Sequence, residues 1–178
     1  MIRTPTLETP RLLLVPLAPA HADAVYAIYR EPAVRRFLVT RPATRAEFDR
    51  VFEHALQFRD THGMWAVIER ASASLVGRVG FFAFGEAARP ELAVLLSERS
   101  WCRGLATEAA SACVAFGFAE RGWPEIVAVV RPANAAALRV LAKVGMRLEQ
   151  EIVLGSEPVE IHRIGSGERR PVADERAP

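Results

Sequence analysis

A stretch that runs from an apolar segment through a glycine-containing loop into a helical segment is the part of the sequence best suited to bind an anion. The continuous apolar run 91–96 predicts a strand, and apolar spacing predicts a helix from about Gly104 to Arg121. A helix start leaves backbone N–H groups without partners, and the helix dipole adds about half a positive charge there. Arg103 adds a cation and Thr107 a hydroxyl, so the loop 97–103 and the helix start suit a phosphate or pyrophosphate. A turn that merely precedes a helix would have the same residues, and neither G-x-x-x-x-G-K-[ST] nor G-x-G-x-x-G is present.

Few side chains could do acid–base or covalent chemistry. Glu91 lies on the strand that enters this loop and could act as a general base, directly or through water, or could be an ordinary solvent-exposed carboxylate. Cys102 lies beside the predicted helix start, which lowers thiol pKa values, but no histidine is near it in sequence to make it a nucleophile. Cys113 falls among apolar residues in the middle of the helix and is predicted to lie in the core. No metal site is predicted, because the histidines are not at the spacing of metal ligands: His21, His54, His62 and His162.

The elements that must position these residues follow the order strand, two helices, three strands, helix, strand, helix and two strands. Strands are predicted at 11–17, 64–69, 75–84, 91–96, 126–130, 147–154 and 158–164, and helices at 19–30, 44–63, 104–121 and 134–144. This order predicts a layered α/β (α+β) domain, with a mixed, mostly antiparallel sheet and helices on both of its faces. The step from strand 91–96 to strand 126–130 is predicted to be a parallel crossover.

Local signals mark several of these boundaries. Thr44 is predicted to be a helix N-cap, and Glu47 three residues later completes a capping box. Pro32 is predicted to end the first helix. Gly77 and Gly80 inside one strand indicate a bulge or a close backbone approach.

Length and composition limit the classes of protein. The chain has 178 residues, which predicts one domain over 1–164 and a flexible tail over 165–178. A net charge of +2 without a long basic run predicts no nucleic-acid partner. No apolar run reaches the ~18 residues of a membrane span, and the few cysteines without a secretory signal predict a reducing, cytoplasmic location. Of the 23 basic residues, 22 are arginine and only Lys143 is lysine, which fits a coding bias.

Residues 101–109, Trp-Cys-Arg-Gly-Leu-Ala-Thr-Glu-Ala, resemble the acyl-CoA loop of GNAT superfamily N-acetyltransferases, a Q/R-x-x-G-x-G/A pattern. More narrowly, they resemble the W-G-x-G-x-A-T-E-A stretch of the ribosomal-protein N-terminal acetyltransferase (RimJ/RimL-like) branch. Four other segments resemble that branch in the same order, at 7–12, 75–80, 91–96 and 134–146. Together the resemblance spans roughly residues 7 to 150.

The resemblance implies a fold in which acetyl-CoA lies between two splayed central strands. It assigns backbone contacts with the pantetheine to Val94, Leu95 and Leu96. It assigns Asn134 to the pantetheine arm or the substrate side, and Lys143 to the adenosine end. The residues that it assigns to the cofactor loop and its pyrophosphate contacts are Trp101, Cys102, Arg103, Gly104, Leu105, Ala106 and Thr107.

The implied reaction is direct attack of an amine on the thioester, with Glu91 and Asn134 as the candidate catalytic residues. Three positions depart from the family pattern. Ala137 replaces a serine that is proposed to protonate the leaving thiolate, a proton that water can also supply. Val94 replaces a tyrosine, and Cys102 replaces a loop glycine.

The resemblance therefore predicts an N-acetyltransferase that moves an acetyl group from acetyl-CoA to a primary amine in a ternary complex, without a metal. The acceptor is left open among a protein N-terminus, an amino sugar and a polyamine, and Glu160 or His162 on the last strand could line its site. The alternative is a GNAT-like domain that binds acyl-CoA as a sensor or partner module with little or no catalysis. A homodimer is compatible with the composition, and no membrane partner is predicted.

Overall fold

The computed structural model describes residues 4–168 of the chain. Within this part, eight strands form one sheet: β1 (Leu7–Glu8), β2 (Leu12–Pro16), β3 (Met64–Glu69), β4 (Ser74–Phe84), β5 (Arg89–Leu96), β6 (Glu125–Val130), β7 (Arg147–Leu154) and β8 (Glu157–Gly165). The α-helices of the same part are α1 (Ala22–Tyr29), α2 (Pro32–Arg35), α3 (Arg45–Gln57), α4 (Leu105–Ala119) and α5 (Ala135–Lys143).

The sheet is antiparallel except at its centre. Its strands lie in the order β1-β2-β3-β4-β5-β6-β8-β7, and β5 and β6 are the parallel pair. Helix α4 connects these two strands, since a parallel pair needs a crossover rather than a tight turn. The predicted mixed, mostly antiparallel sheet is confirmed.

Two hydrophobic clusters, one on each face of the sheet, hold the helices in place. The cluster beneath α4 and α5 joins Phe116 and Leu141 of these helices to Leu92 and Leu96 of β5. The cluster beneath α1, α2 and α3 includes Leu95 of the same strand. Strand β5 therefore buries side chains on both faces, as its continuous apolar run predicts.

The helix boundaries differ from the predicted ones for local reasons. Thr44 caps α3 as predicted, and its hydroxyl oxygen accepts the Glu47 N–H at 3.2 Å. The first helix ends before Pro32, as predicted, and Pro32 itself begins the short helix α2, because a residue without an N–H fits the first position of a helix. Helix α3 ends at Gln57, and a π-helical turn over Arg59–Gly63 fills the rest of the predicted helix.

The C-terminal end of the described part is held by hydrogen bonds. Gly165 is the last residue of β8, and its N–H donates to the Glu168 carboxylate at 2.9 Å. The Ser166 N–H donates to the Pro124 carbonyl oxygen at 2.9 Å. Residues 165–168, predicted to begin a flexible tail, therefore belong to the fold, and the remainder of the predicted tail lies outside the described residues.

Strands β4 and β5 approach each other closely at Gly77. A Cβ atom at this position would lie 2.0 Å from the Leu95 carbonyl oxygen. A Cβ atom at Gly80 would lie 2.5 Å from the Gly63 carbonyl oxygen. The close approach predicted for the two glycines is therefore confirmed.

We expect Gly77→Ala to destabilise the protein, because the added methyl group has to displace backbone atoms of β5. Overpacking of this kind costs about 1–3 kcal/mol and sometimes more. Gly167→Ala is the matched control, since nothing lies within 4 Å of a Cβ atom there. Denaturant unfolding of the two variants measures the difference, and equal stabilities would contradict the close packing of β4 on β5.

Candidate active site

Strands β5 and β6 pair at one position and then separate. Within the described residues, their sole registered pair is Glu91 with Val127. Strand β5 nevertheless continues to Leu96 and β6 to Val130, while β4 pairs with β5 along its whole length. The two central strands therefore form a wedge-shaped gap, with Glu91 at its narrow end and the loop after β5 at its wide end.

Backbone groups of β5 face this gap without a neighbouring strand. Ser97 donates its N–H to β4 at 2.9 Å. Because backbone groups alternate in direction along a strand, those of Leu95 also face β4, whereas those of Val94 and Leu96 face the gap. The Leu96 carbonyl oxygen accepts the indole N–H of Trp101 at 2.9 Å. Of the three β5 residues predicted to contact the pantetheine, Leu95 thus differs, since its backbone groups belong to the ladder with β4.

The turn into α4 concentrates backbone N–H groups at the wide end of the gap. Gly104 is the N-cap of α4, with a left-handed φ of +76°, and Cys102 has a left-handed φ of +57°. The first helical bond runs from the Glu108 N–H to the Gly104 carbonyl oxygen at 3.1 Å. In the part of the chain that the structure describes, no acceptor takes the N–H groups of residues 102–107. These donors and the helix dipole form an arrangement suited to an anion.

Ion pairs hold this turn against β1, β2 and β3. The Glu108 carboxylate accepts the Thr9 hydroxyl at 2.6 Å, the Arg11 N–H at 2.9 Å and the Arg11 Nε at 2.6 Å. Burial raises the pKa of Glu108, but these hydrogen bonds outweigh burial and hold the pKa below its ordinary value. Arg11 also donates to the Arg103 carbonyl oxygen at 2.7 Å, and the Arg103 guanidinium pairs with Glu69, whose pKa it lowers. The hydrogen bonds of the Glu108 carboxylate thus go to the turn between β1 and β2.

A second contact ties the loop to the helices on the opposite face of the sheet. Glu31, between α1 and α2, accepts the Ser97 hydroxyl at 2.7 Å and the Glu98 N–H at 2.7 Å. The first residues of the loop and the end of α1 therefore share one carboxylate.

Glu91 is a largely buried carboxyl group at the narrow end of the gap. Its side chain alternates in phase with Leu95, so it points to the face that α1, α2 and α3 cover. Burial raises the pKa of Glu91 to about 7, and the positive charge of Arg78 opposes part of this rise. A carboxyl group that titrates near neutral pH is suited to take up and release a proton in catalysis.

A buried arginine on the same face was missed by the sequence interpretation. Arg78 of β4 is 8% exposed, and its Nη2 donates to the Tyr29 hydroxyl at 2.6 Å. Its guanidinium carbon lies 5.4 Å from the ring centre of Phe82, which is the β4 residue directly opposite Glu91. The sequence signal was an arginine in the middle of an otherwise apolar strand.

Helix α5 positions the other predicted residues. Asn134 is the N-cap of α5, and its Oδ1 accepts the Ala137 N–H at 3.1 Å. Ala137 packs against the cluster beneath α4 and α5. Lys143 is the last residue of α5 and is exposed. It lies about 13 Å along the helix axis from Asn134. Ligand contacts of Asn134 and Lys143 remain predictions.

The remaining histidine and cysteine candidates take other positions. His162 Nε2 hydrogen-bonds the Glu160 carboxylate at 2.8 Å on β8, next to β6. Cys102 is exposed, whereas Cys113 is fully buried in the core as predicted, and burial raises the pKa of its thiol. Within residues 4–168, no cluster of three His, Cys, Asp or Glu side chains could hold a metal ion. Among the helices of the same residues, none has the length and apolar character needed to cross a bilayer.

Comparison with known proteins identifies the class of protein that this fold and gap define. Residues 11–147 match the family described as Acetyltransferase (GNAT) domain. The uncharacterized N-acetyltransferase YoaA of Bacillus subtilis (strain 168) is 30% identical over 149 residues, which cover 82% of this chain and 84% of that protein.

Two solved structures have the same fold. The acetyltransferase (GNAT family) from Bacillus anthracis matches with a TM-score of 0.79 at 23% identity, over 92% of this chain and 100% of that chain. The ribosomal-protein-S5-alanine acetyltransferase from Vibrio fischeri matches with a TM-score of 0.75 at 13% identity, over 94% of this chain and 100% of that chain. The protein is an acetyltransferase, and its chain belongs to the GNAT family.

The raised pKa of Glu91 predicts a pH-dependent contribution to stability. The folded pKa of about 7 lies above the ordinary value of 4.5, so the uncharged carboxyl stabilises the fold below pH 4.5, and this advantage is lost as pH rises through 7. The difference corresponds to about 3 kcal/mol. The unfolding free energy is measured for the wild type and for Glu91→Gln at pH 4.5 and pH 8. Between these pH values the wild type should lose stability relative to the variant. A difference between the two proteins that stays constant with pH would show that burial does not raise this pKa.

Proposed function

We propose that this acetyltransferase binds acetyl-CoA in the gap between β5 and β6 and transfers its acetyl group to a primary amine. The observation that carries the proposal is the wedge between the strands, because its wide end meets the N–H groups of the α4 start and its narrow end meets Glu91. A long, thin molecule with an anionic head and a reactive end fits such a gap in one orientation. The transfer occurs by direct attack of the amine within a ternary complex.

The chain offers separate groups for each part of acetyl-CoA, which members of the family generally use. Val94 and Leu96 direct backbone groups at the gap, where amide groups of the pantetheine pair with them as a strand would. The N–H groups of residues 102–107 take the pyrophosphate. Asn134 donates from its Nδ2 to the pantetheine arm, and Lys143 approaches the adenosine phosphates.

Glu91 prepares the amine for attack. Its carboxylate accepts a proton from the ammonium form of the acceptor, directly or through water, and leaves a neutral nitrogen. The nitrogen forms a bond with the acetyl carbon, the carbon–sulfur bond breaks, and the nitrogen gives its second proton to a water molecule. The thiolate takes its proton from water, because Ala137 has no hydroxyl to supply one.

The RimJ/RimL-like branch is part of this proposal, and the sequence pattern of residues 101–109 supports it. The Vibrio fischeri enzyme shares the fold and leaves the acceptor open. The acceptor classes considered are a protein N-terminus, an amino sugar and a polyamine. We propose a cytoplasmic location, no metal, and no nucleic-acid or membrane partner. A homodimer, with exposed Leu148, Val153 and Leu154 of edge strand β7 available to a second copy, completes the proposal.

We expect Gly104→Trp to abolish binding of acetyl-CoA, because the indole occupies the turn and the φ of +76° strains any side chain there. Gly167→Trp is the matched control, since its surroundings are open. Titration calorimetry with acetyl-CoA measures binding, and thermal unfolding checks that both variants fold. Normal acetyl-CoA binding by Gly104→Trp would remove the loop from the binding site.

We expect kcat/KM for the amine to rise with pH through about 7 and then to level, because the base must lose its proton before it can act. Glu91→Gln should lower kcat about 100-fold or more and remove this inflection. Glu120→Gln, at an exposed carboxylate directly after α4, is the control and should keep the wild-type profile. Thiol release from acetyl-CoA reports the rate. An unchanged inflection in Glu91→Gln would assign the base elsewhere, and tight acetyl-CoA binding without thiol release for any amine would favour a binding module.

A further inference from the structure

We infer that the acceptor is a small amine that also has an anionic group, a carboxylate or a phosphate, and that Arg78 binds this group. The inference rests on the proposed function, since it assumes that the amine reaches Glu91. It identifies Arg78 as a residue that determines acceptor specificity.

Arg78 is a buried cation without a carboxylate partner among residues 4–168. Its polar contacts are the Tyr29 hydroxyl at 2.6 Å and the Met64 sulfur at 3.9 Å, which is a weak acceptor. The rings of Tyr29 and Phe82 lie 5.7 and 5.4 Å from the guanidinium carbon. A guanidinium has five N–H donors, so one strong hydrogen bond leaves most of them for a ligand.

A buried charge is costly unless it is paired, so an arginine at this position needs an explanation. An apolar residue at this position would avoid the cost of burying a charge. Glu91 is near enough to feel the charge of Arg78, but the two side chains form no hydrogen bond or ion pair. When Glu91 takes up the proton of the acceptor, it becomes neutral, and the charge of Arg78 is left uncompensated.

The positions of the two groups match a molecule with a cationic and an anionic end. Arg78 and Glu91 lie on the same face of the sheet, and both adjoin Phe82. An ammonium group at Glu91 and an anionic group at Arg78 would each meet the opposite charge. Arginine suits the second task, because its planar donors match both oxygens of a carboxylate or phosphate.

A second observation is a pair of arginines beside Tyr29, the residue whose hydroxyl accepts the Arg78 hydrogen bond. An open cavity of about 190 Å³ is lined by Tyr29 together with Arg30 and Arg35. Tyr29 therefore contacts both this cavity and Arg78, which donates a hydrogen bond to its hydroxyl. The same charges repel a polyamine, which has further ammonium groups and no anion. A peptide N-terminus likewise has no carboxylate or phosphate fixed close to its amine.

Matched acceptor pairs test the inference on the wild-type protein. The rate of thiol release is compared for α-amino acids against their amides, and for phosphoethanolamine against ethanolamine. N-terminal peptides and spermidine complete the panel. We expect the anionic member of at least one pair to have a kcat/KM on the order of 30-fold higher, the effect of a buried charge contact. The pair that shows the preference distinguishes carboxylate from phosphate.

Variants test whether the preference for the anionic acceptor depends on Arg78. Arg78→Met should remove most of the preference, chiefly through KM of the anionic amine, and should keep acetyl-CoA affinity. Because the lost charge also raises the pKa of Glu91, the two members of each pair are compared on the same variant, where this effect cancels. Arg78→Lys should restore part of the preference, because the charge returns without the planar donors. Arg147→Met on edge strand β7 is the control for loss of an arginine and should retain the full preference. Tyr29→Phe removes the hydrogen bond to Arg78 and should weaken the preference even where Arg78→Met does not fold.

Binding measurements separate failure of the inference from failure of the proposed function. If amides, plain amines, peptides or spermidine react as well as the anionic amines, the inference is wrong and the proposed function stands. If no amine supports thiol release, calorimetry with the same pairs decides. Arg78-dependent binding of the anionic member then supports the inference alone, and equal or absent binding overturns both.

Discussion

The separation of β5 from β6 is the physical constraint on which the rest of the structure depends. A parallel pair in the middle of a sheet normally continues its hydrogen bonds along both strands, because unpaired backbone groups in the interior are costly. Here the structure has one registered pair, Glu91 with Val127, whereas every other pair of neighbouring strands in the described sheet has at least two. Helices α4 and α5 pack over β5 and β6 on one face of the sheet, and α1, α2 and α3 pack against β5 on the other face. In the proposed complex, the pantetheine arm of acetyl-CoA pairs with the backbone groups of Val94 and Leu96 in place of a strand.

Polar contacts from both faces of the sheet hold the loop at the wide end of the wedge in place. On one side, the Glu108 carboxylate joins the first turn of α4 to Thr9 and Arg11 through three hydrogen bonds. On the other side, Glu31 joins the end of α1 to Ser97 and Glu98. Each carboxylate fixes the loop without using the N–H groups of residues 102–107. The donors at the α4 start therefore stay available, and they are positioned before any ligand arrives, which lowers the entropy that binding has to overcome.

Local patterns predicted much of this arrangement, and long-range pairing accounts for what they missed. The strand 64–69, the capping box of Thr44 and the tight packing at Gly77 depend on neighbours in sequence or on intrinsic backbone preference, so the sequence alone identifies them. The sheet register instead depends on residues that are far apart in sequence. It determines that the backbone groups of Leu95 face β4 while those of Val94 face the gap. Arg78 was missed for the same reason. Its partner Tyr29 is 49 residues away, and only the packing of α1 on β4 brings them together. The buried environment that raises the pKa of Glu91 is equally a product of tertiary structure.

The exposed position of Lys143 at the end of α5 has a consequence for the chemical fate of the protein itself. An enzyme that works beside a reactive thioester is exposed to acetylation of its own surface, and the ε-amines of lysine are the side chains that form stable acetyl amides. This chain has one such amine, since the other 22 basic side chains are arginines, whose guanidinium groups stay protonated and do not compete as nucleophiles. Acetylation of lysine side chains can therefore remove at most one of the 23 positive charges that lysine and arginine give this chain.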